Sequence, residues 1–292
     1  MRKTTVIKIE GKFNNANAPI LPKYDAIENK AGSLFLWDGG LQSTDLVPDS
    51  VFPNLLNDPE FTLAQGKEFN LHKGTNANIN DVVRLEKTSK GALHFIVSQL
   101  AASIDRQSYY AVKANAALNA YLYALSQASS KKLYVSMWTR ITRNSVAEIT
   151  GGLAIYSTGN TANMMFQLTS RQSAIYCTGN STSKLNKPAS DVSVKDQPNW
   201  FHAEITGNVG TGVSNSSVLT VGGGNYDPWF SVSDPKGCPS WILERIYIED
   251  LEASGRTMAE VDAIDIAEFN RAHAAGGRFY GDTWSNPSVL LP

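Results

Sequence analysis

The sequence has few of the residues from which metal centres are built. It contains 2 cysteines and 4 histidines among 292 residues, and Cys177 and Cys238 show neither the CxxC nor the Cys/His spacing of a zinc site. We therefore predict no zinc site. Both cysteines are interpreted as reduced packing residues, with a disulfide between them as the alternative.

Clusters of positive charge are absent as well. Basic and acidic residues number 26 and 27, and no run of Lys or Arg exceeds two residues. A surface that follows a phosphate backbone needs clustered positive charge. Nucleic-acid binding is therefore not expected.

Long apolar runs are missing too. A membrane-spanning helix needs about eighteen consecutive apolar residues, and no such stretch occurs. The first ten residues carry charges where a secretory signal peptide would have an apolar run. We therefore expect neither a membrane span nor a signal peptide.

What the chain does contain favours β-structure. Hydrophobic residues make up 42% and charged residues only 18%, and many of the others are Asn, Ser, Thr and Gly. This composition suits short strands joined by polar turns, so we predict a mostly β fold, as one large domain or two ordinary ones. The predicted strands lie at residues 33–38, 61–69, 81–85, 92–97, 132–141, 152–157, 163–169, 173–178, 199–206, 217–221 and 241–251.

Two of these strands have patterns that predict how they are buried. In residues 132–141, Tyr134 and Trp138 fall on one face and aliphatic residues fall on the other, which predicts burial on both faces. In residues 241–251, Trp241 is odd-numbered whereas Ile248 is even-numbered. Those apolar residues share one face only if a β-bulge shifts the alternation near residues 244–245.

Two helices are predicted. Thr257 and Glu260 have the spacing of a capping box, and Gly276 supplies a stop signal. These signals predict a helix over residues 257–275. A shorter helix is predicted at residues 111–128, where Ala, Leu and Tyr favour helical structure.

The N-terminal region differs from the rest of the chain. Residues 11–29 are rich in Asn, Pro and Lys and show no sustained hydrophobic period. We predict an extended arm over residues 1–29. It is interpreted either as a flexible tail or as an arm that pairs with a neighbouring subunit.

Taken in order, these elements resemble a concanavalin A-like, laminin G-like jelly roll. The resemblance covers residues 30–275 and implies a jelly-roll β-sandwich with one C-terminal helix, preceded by the arm and followed by a C-terminal tail over residues 276–292. The motifs that carry it are the apolar Trp-Asp strand at residues 34–38, the aromatic-x-Ser-x-Trp strand at residues 134–138, the Trp-Phe-His motif at residues 200–202, and the late strand and helix start at residues 243–251 and 257–264.

The arm, the missing secretion signal and the helix-plus-tail ending are similar to those of virion proteins of tailed bacteriophages. This similarity implies a non-enzymatic structural or accessory protein of the tail, baseplate or head. Its partners would be other virion proteins and further copies of itself, and it would join the virion after synthesis in the host cytoplasm. The alternative is a lectin-like module that binds a host surface polysaccharide. A glycoside hydrolase or lyase ranks third.

Glycosidases on this jelly roll place carboxylates on one strand as Glu-x-Asp-x-x-Glu, because one carboxylate attacks and another protonates the leaving group. That motif is absent. The nearest acidic residues are interpreted as solvated edge and turn charges, so no catalytic residue is predicted. These acidic residues are Glu244, Glu249, Asp250 and Glu252.

His202 is predicted to be a hydrogen-bonded strand histidine.

A loop at residues 225–230 offers the mixture of groups that a sugar site needs. Aromatic rings bind sugar faces, and amide or carboxylate groups bind hydroxyls. We predict that Asn225, Tyr226, Asp227 and Trp229 form a carbohydrate site. The alternative is that Trp229 plugs the end of the sandwich.

No cofactor is predicted, apart from calcium as an option. Asp38, Asp45 and Asp49 are candidate calcium ligands because calcium prefers oxygen donors. Aspartates in turns that bind no metal are the alternative.

Overall fold

The protein is mostly β, as the composition predicts, and all of its described strand pairs are antiparallel. Among the described helices, none has the length and apolar character needed to cross a bilayer. The computed structural model describes residues 25–42, 45–75, 77–100, 108–126, 132–144, 154–155, 166–169, 174–176, 184–185, 195–206, 217–222, 224–227, 230–232 and 239–292.

The described strands are β1 (Ser33–Asp38), β2 (Val51–Phe52), β3 (Phe69–Lys73), β4 (Val83–Lys87), β5 (Leu93–Val97), β6 (Tyr109–Ala114), β7 (Lys132–Arg143), β8 (Ala154–Ile155), β9 (Phe166–Thr169), β10 (Ala174–Tyr176), β11 (Lys184–Leu185), β12 (Pro198–Thr206), β13 (Ser217–Gly222), β14 (Gly224–Asp227), β15 (Phe230–Val232) and β16 (Ser240–Asp250). The described helices are α1 (Ala116–Ser126), α2 (Leu251–Ser254), α3 (Met258–His273) and α4 (Pro287–Leu290).

Two sheets dominate the structure. The large sheet has the order β11-β12-β7-β16-β5-β4, and β1 also pairs with β16. The small sheet has the order β13-β6-β3-β2. Strands β8 to β10 form a separate three-stranded sheet, and β14 pairs with β15 as a hairpin.

The large and small sheets share one hydrophobic core. Phe35 of the large sheet meets Phe69 of the small sheet edge to face, with ring centroids 4.7 Å apart. Trp37 meets Phe52 in the same way at 5.2 Å. Such edge-to-face pairs stabilise the core beyond the burial of their area. The inner face of each sheet is the one that contributes to this core.

The β-bulge predicted near residues 244–245 is confirmed. The register between β16 and β7 shifts between Leu243 and Arg245. As a result Trp241 and Ile248, which have opposite parity, both lie in the core between the sheets. Glu244 and Arg245 then both contact groups on the outer face of the large sheet.

Helix α3 covers that outer face. Its capping box is formed as predicted: the Thr257 hydroxyl accepts from the Glu260 backbone N–H, and the Glu260 carboxylate accepts from the Thr257 N–H. Met258 and Val261 pack against Tyr134 of β7. Strand β7 is therefore buried on both faces, as its alternation predicts.

Other local predictions were less accurate. Residues 61–69 do not form a strand, because residues 62–64 make a 3-10 turn and β3 begins only at Phe69. The segment predicted as one helix at 111–128 is divided between β6 and α1. Asn115 separates them, since its side chain accepts from the Leu118 N–H and so starts the helix.

Both ends of the described chain lie against the body. Residues 1–24 of the predicted arm fall outside the described residues, whereas Ile27 is buried and its carbonyl accepts from Tyr247. In the predicted tail, Phe279 is buried against Trp138. The Ser285 N–H donates to Glu86, so residues 276–292 run along the large sheet.

Candidate functional site

The outer face of the large sheet holds buried charge beneath α3. The carboxylate of Asp265, on α3, accepts from Tyr134 Oη at 3.0 Å, Trp138 Nε1 at 3.2 Å and Trp200 Nε1 at 2.6 Å. Burial raises the pKa of Asp265, although Arg245 and these donors oppose the rise. The contacts tie the helix to β7 and β12.

Arg245 lies at the centre of this face and is fully buried. Its Nη1 donates to Asp25 at 3.0 Å and to Asp38 at 3.2 Å, and its guanidinium lies over the ring of Trp138. Burial acts against the charged arginine, but the two carboxylates raise its pKa above the usual value. Arg278 also donates to both oxygens of Asp38. Asp38 therefore binds two guanidinium groups.

Three of the four acidic residues that were interpreted as solvated, Glu244, Glu249 and Asp250, are instead buried and paired, so that interpretation was wrong for them, whereas Glu252 is exposed. Glu244 accepts from Arg140 at 2.8 Å and bonds His273 Nε2 at 2.9 Å. Burial acts to raise the pKa of Glu244, yet these two partners hold it below its usual range. Glu249 is buried beside Arg256.

Asp250, at the end of the same strand, is also engaged. Asp250 accepts from Tyr121 Oη at 2.7 Å and from the Ala253 N–H, which caps α2. Because these carboxylates are buried and occupied, the outer face of the large sheet offers no open acid and base pair among the described residues. We interpret this face as structural.

The Trp-Phe-His motif of β12 belongs to the same layer. The rings of Trp200 and His202 stack with centroids 3.6 Å apart, and His202 Nδ1 bonds Asp262 of α3. His202 is almost fully buried. The prediction of a hydrogen-bonded strand histidine is therefore confirmed.

The predicted sugar-site loop is a hairpin. Asn225, Tyr226 and Asp227 lie on β14, and Asp227 pairs with Phe230 of β15. The loop prediction at these residues was therefore wrong in its secondary structure. Trp229 falls outside the described residues, and the binding role of all four residues stays a prediction.

The hairpin follows β13, an edge strand of the small sheet, along the chain. Strand β13 leads into the hairpin and ends at Gly222, which pairs with Tyr109 of β6. Tyr110 and Val112 of β6 face the core, so Tyr109 and Lys113, which alternate with them along the strand, occupy the outer face of the small sheet. The hairpin therefore begins beside Tyr109.

Four side chains meet there, and we call them the sheet-end cluster: Asp49, His72, Tyr109 and Lys113. His72 Nδ1 lies 3.7 Å from Asp49 Oδ1, and the rings of His72 and Tyr109 are 5.7 Å apart. Lys113 Nζ lies 3.2 Å from Tyr109 Oη. The Asp49 side chain is 67% exposed and that of His72 is 36% exposed, so solvent reaches the cluster.

The backbone of Asp49 is unusual. Its φ of 64° places it in the left-handed region, which few residues other than glycine adopt. The Asp49 N–H donates to the Leu71 carbonyl, and its side chain accepts from the Lys73 N–H at 3.2 Å. These bonds to β3 hold the exposed carboxylate in place. Strained positions that the fold holds in this way recur at binding sites.

The protonation of His72 follows from its neighbours. Burial lowers its pKa, the ammonium of Lys113 lowers it further, and Asp49 acts in the opposite direction. The net effect is a pKa below the usual 6.5. At neutral pH the imidazole is therefore uncharged and has one donor and one acceptor nitrogen for a ligand.

Of the four cluster residues, the sequence singled out only Asp49, and it did so as a metal ligand. Asp49 was a candidate calcium ligand, together with Asp38 and Asp45. The three have different partners: Asp38 binds two arginines, Asp45 pairs with Lys87 at 3.0 Å, and Asp49 lies beside His72. The structure therefore does not bring these three carboxylates together, and calcium binding by any of them stays a prediction. No group of three or more His, Cys, Asp or Glu residues suited to a metal occurs in the described part of the chain.

Comparisons with known proteins give little further guidance. No family model matches the chain, and no curated protein matches it. One solved structure does: the crystal structure of the binding domain of Paraclostridial Mosquitocidal Protein 1, with a TM-score of 0.42 and 12% sequence identity. The match covers 83% of this chain and 54% of that one, so the chain spans about half the length of that structure.

Proposed function

We propose that this protein is a non-enzymatic carbohydrate-binding protein whose sugar site is the sheet-end cluster, continued by the β14–β15 hairpin. The observation that carries the proposal is the meeting of an exposed carboxylate, a neutral imidazole and a tyrosine ring on one solvent-reached sheet face. The hairpin that begins at this point carries Asn225, Tyr226 and Asp227.

Each group has a role that fits sugar chemistry. The ring of Tyr109 presents an apolar face for the C–H groups of a pyranose, while Asp49 and His72 bond to hydroxyls. The left-handed backbone of Asp49 holds its carboxylate before a ligand arrives, which reduces the entropy lost on binding. By contrast, the carboxylates under α3 are already bonded to protein donors.

The same proposal includes the finer description of the fold. We assign the two sheets to a concanavalin A-like jelly roll, and the support is their antiparallel pairing and their shared core. A crystal structure in which the small sheet does not face the large sheet across Phe35 and Phe69 would contradict this assignment.

The site is tested by glycan binding to the full chain and its variants. Replacing Tyr109 by Ala is expected to weaken binding about tenfold, equivalent to about 1.4 kcal/mol, because the stacking surface is lost. Asp49→Ala is expected to weaken it similarly. Tyr280→Ala is the matched control, since Tyr280 is exposed away from the cluster. Unchanged affinity in Tyr109→Ala and Asp49→Ala would place the site elsewhere.

Trp229→Ala tests whether the hairpin takes part. Loss of glycan binding in a protein that melts normally would support a sugar-contacting Trp229. Loss of folding would show instead that Trp229 is a core residue. The non-enzymatic part of the proposal is tested by incubating the protein with each bound polysaccharide, and release of new reducing or unsaturated ends would overturn it.

A place in a tailed-phage virion is a separate prediction from the sequence. It requires that the native protein sediment with particles of virion size at fixed stoichiometry, with other virion proteins as partners. Mass spectrometry of a density gradient measures this, and a protein found only in the soluble fractions would contradict it.

A further inference from the structure

We infer that the sugar recognised by the sheet-end cluster is a hexuronate within an acidic polysaccharide, and that its carboxylate pairs with Lys113. This inference rests on the proposed function, because it names the ligand class of the same site. Its starting point is the charge of Lys113, which a neutral sugar would leave unused.

Within the described part of the chain, the ammonium of Lys113 has no acidic partner. Its described contacts are the hydroxyl of Tyr109 at 3.2 Å and the ring of the same residue, 5.2 Å from Nζ to the centroid. Among the described residues, no carboxylate lies within ion-pair distance of it, and the carboxylate of Asp49 lies beside His72, 3.7 Å from Nδ1. A half-buried cation without an anion is a site that gains from an anionic ligand.

Tyr109 holds this cation in a defined place. Lys113 and Tyr109 lie four residues apart on the same face of β6, with Ala111 between them. The Lys113 Nζ donates to the Tyr109 hydroxyl and lies over the ring of the same residue. The ammonium is therefore placed beside the ring on which a sugar would stack, and it needs little reordering to bind.

A hexuronate has one group for each member of the cluster. Its C–H face fits the ring of Tyr109, its hydroxyls fit Asp49 and His72, and its carboxylate fits Lys113. A nucleic acid is a poorer fit, because it needs several cations along a phosphate backbone and the sheet-end cluster contains a single lysine, Lys113.

The test compares acidic polysaccharides with their carboxyl-reduced forms. Polygalacturonate, alginate and hyaluronan are titrated into the full chain by calorimetry, each beside its carboxyl-reduced derivative and beside single-stranded DNA. We expect at least one polyuronate to bind about tenfold more tightly than its reduced form, with an affinity that falls as salt is added.

Variants of Lys113 then assign the effect. Lys113→Met is expected to lower affinity for the acidic polymer about tenfold without changing affinity for the reduced one. Lys113→Arg is expected to restore most of the loss. Lys195→Met is the matched control, because Lys195 is exposed and lies outside the cluster. Lys113→Gln serves if the Met variant melts at a lower temperature than the wild type.

Each other outcome overturns the inference in a distinguishable way. Equal binding of acidic and reduced polymers, or equal effects of Lys113→Met on both, would show that the site takes neutral sugars, and the proposed function would stand. Binding to none of the glycans would overturn the proposed function as well. DNA binding as tight as that of the best polyuronate would show general attraction of polyanions instead.

Discussion

At the residue scale, the buried charges of this protein are arranged in partnered groups. Arg245 and Glu244 adjoin each other at the bulge of β16, and each is neutralised by residues distant in sequence. A buried charge that loses its partner costs far more than an exposed one. These ion pairs therefore hold the covering segments against the large sheet.

The buried imidazole of His94 is expected to make the stability of the folded protein depend on pH. Its buried imidazole bonds Glu86 and Thr142, both at 2.7 Å, and burial lowers its pKa from 6.5. The unfolded chain therefore takes up a proton at higher pH than the folded one. Stability is complete above the unfolded pKa of about 6.5 and falls as pH drops through that value toward the lower pKa of the folded protein.

The corresponding variant is His94→Gln, which keeps hydrogen-bonding groups but cannot titrate. Denaturant unfolding at several pH values is expected to give a less stable protein with a flatter dependence on pH. His72→Gln is the comparison, since the pKa of His72 is also lowered but its side chain is partly exposed. A slope unchanged by His94→Gln would contradict the assignment.

At the element scale, the sequence predicted correctly those features whose backbone geometry depends on residues close together in the chain. The capping box at Thr257 depends on residues three apart, and the bulge of β16 is visible as a change of parity within one strand. The strand prediction for residues 61–69 was wrong because the apolar residues of this segment suit a 3-10 turn as well as a strand. Its turn is closed by the Ala64 N–H donating to the Phe61 carbonyl.

The cap of α3 gives a stability prediction at this scale. Thr257→Ala removes the hydroxyl that accepts from the Glu260 N–H and is expected to lower the free energy of unfolding by about 1 kcal/mol. Thr283→Ala is the control, because Thr283 is an exposed threonine outside any helix. Chemical denaturation measures both, and equal effects would mean that the cap contributes nothing specific.

At the scale of the whole molecule, both ends of the described chain close over the large sheet. Asp25 reaches Arg245, and Arg278 reaches Asp38, so one buried ionic group joins segments from opposite ends of the sequence. Burial acts to raise the pKa of Asp25, but Arg245 holds it below the usual value, so Asp25 is ionised in the folded protein at neutral pH.

Removal of the first residues tests this closure. Deleting residues 1–29 is expected to lower the free energy of unfolding by about 3–5 kcal/mol more than deleting residues 1–24, because Arg245 loses Asp25. The Ile27 carbonyl, which accepts from Tyr247 and Arg256, is lost as well. Equal stability of the two truncated proteins would contradict the role of this segment.

The sequence by itself determined what depends on near neighbours: the mostly β character, the two-sided burial of β7, the bulge of β16 and the capped helix α3. Each of these is encoded in the spacing of residues within one element.

Only the tertiary structure decided which side chains meet. Asp49, His72, Tyr109 and Lys113 come from three separate segments, and they adjoin because β3 and β6 pair in one particular register. The pairing of Glu244 with His273 likewise depends on α3 lying across β16. Periodicity within a strand carries no information about the register between strands, because register is set by the packing of the whole core.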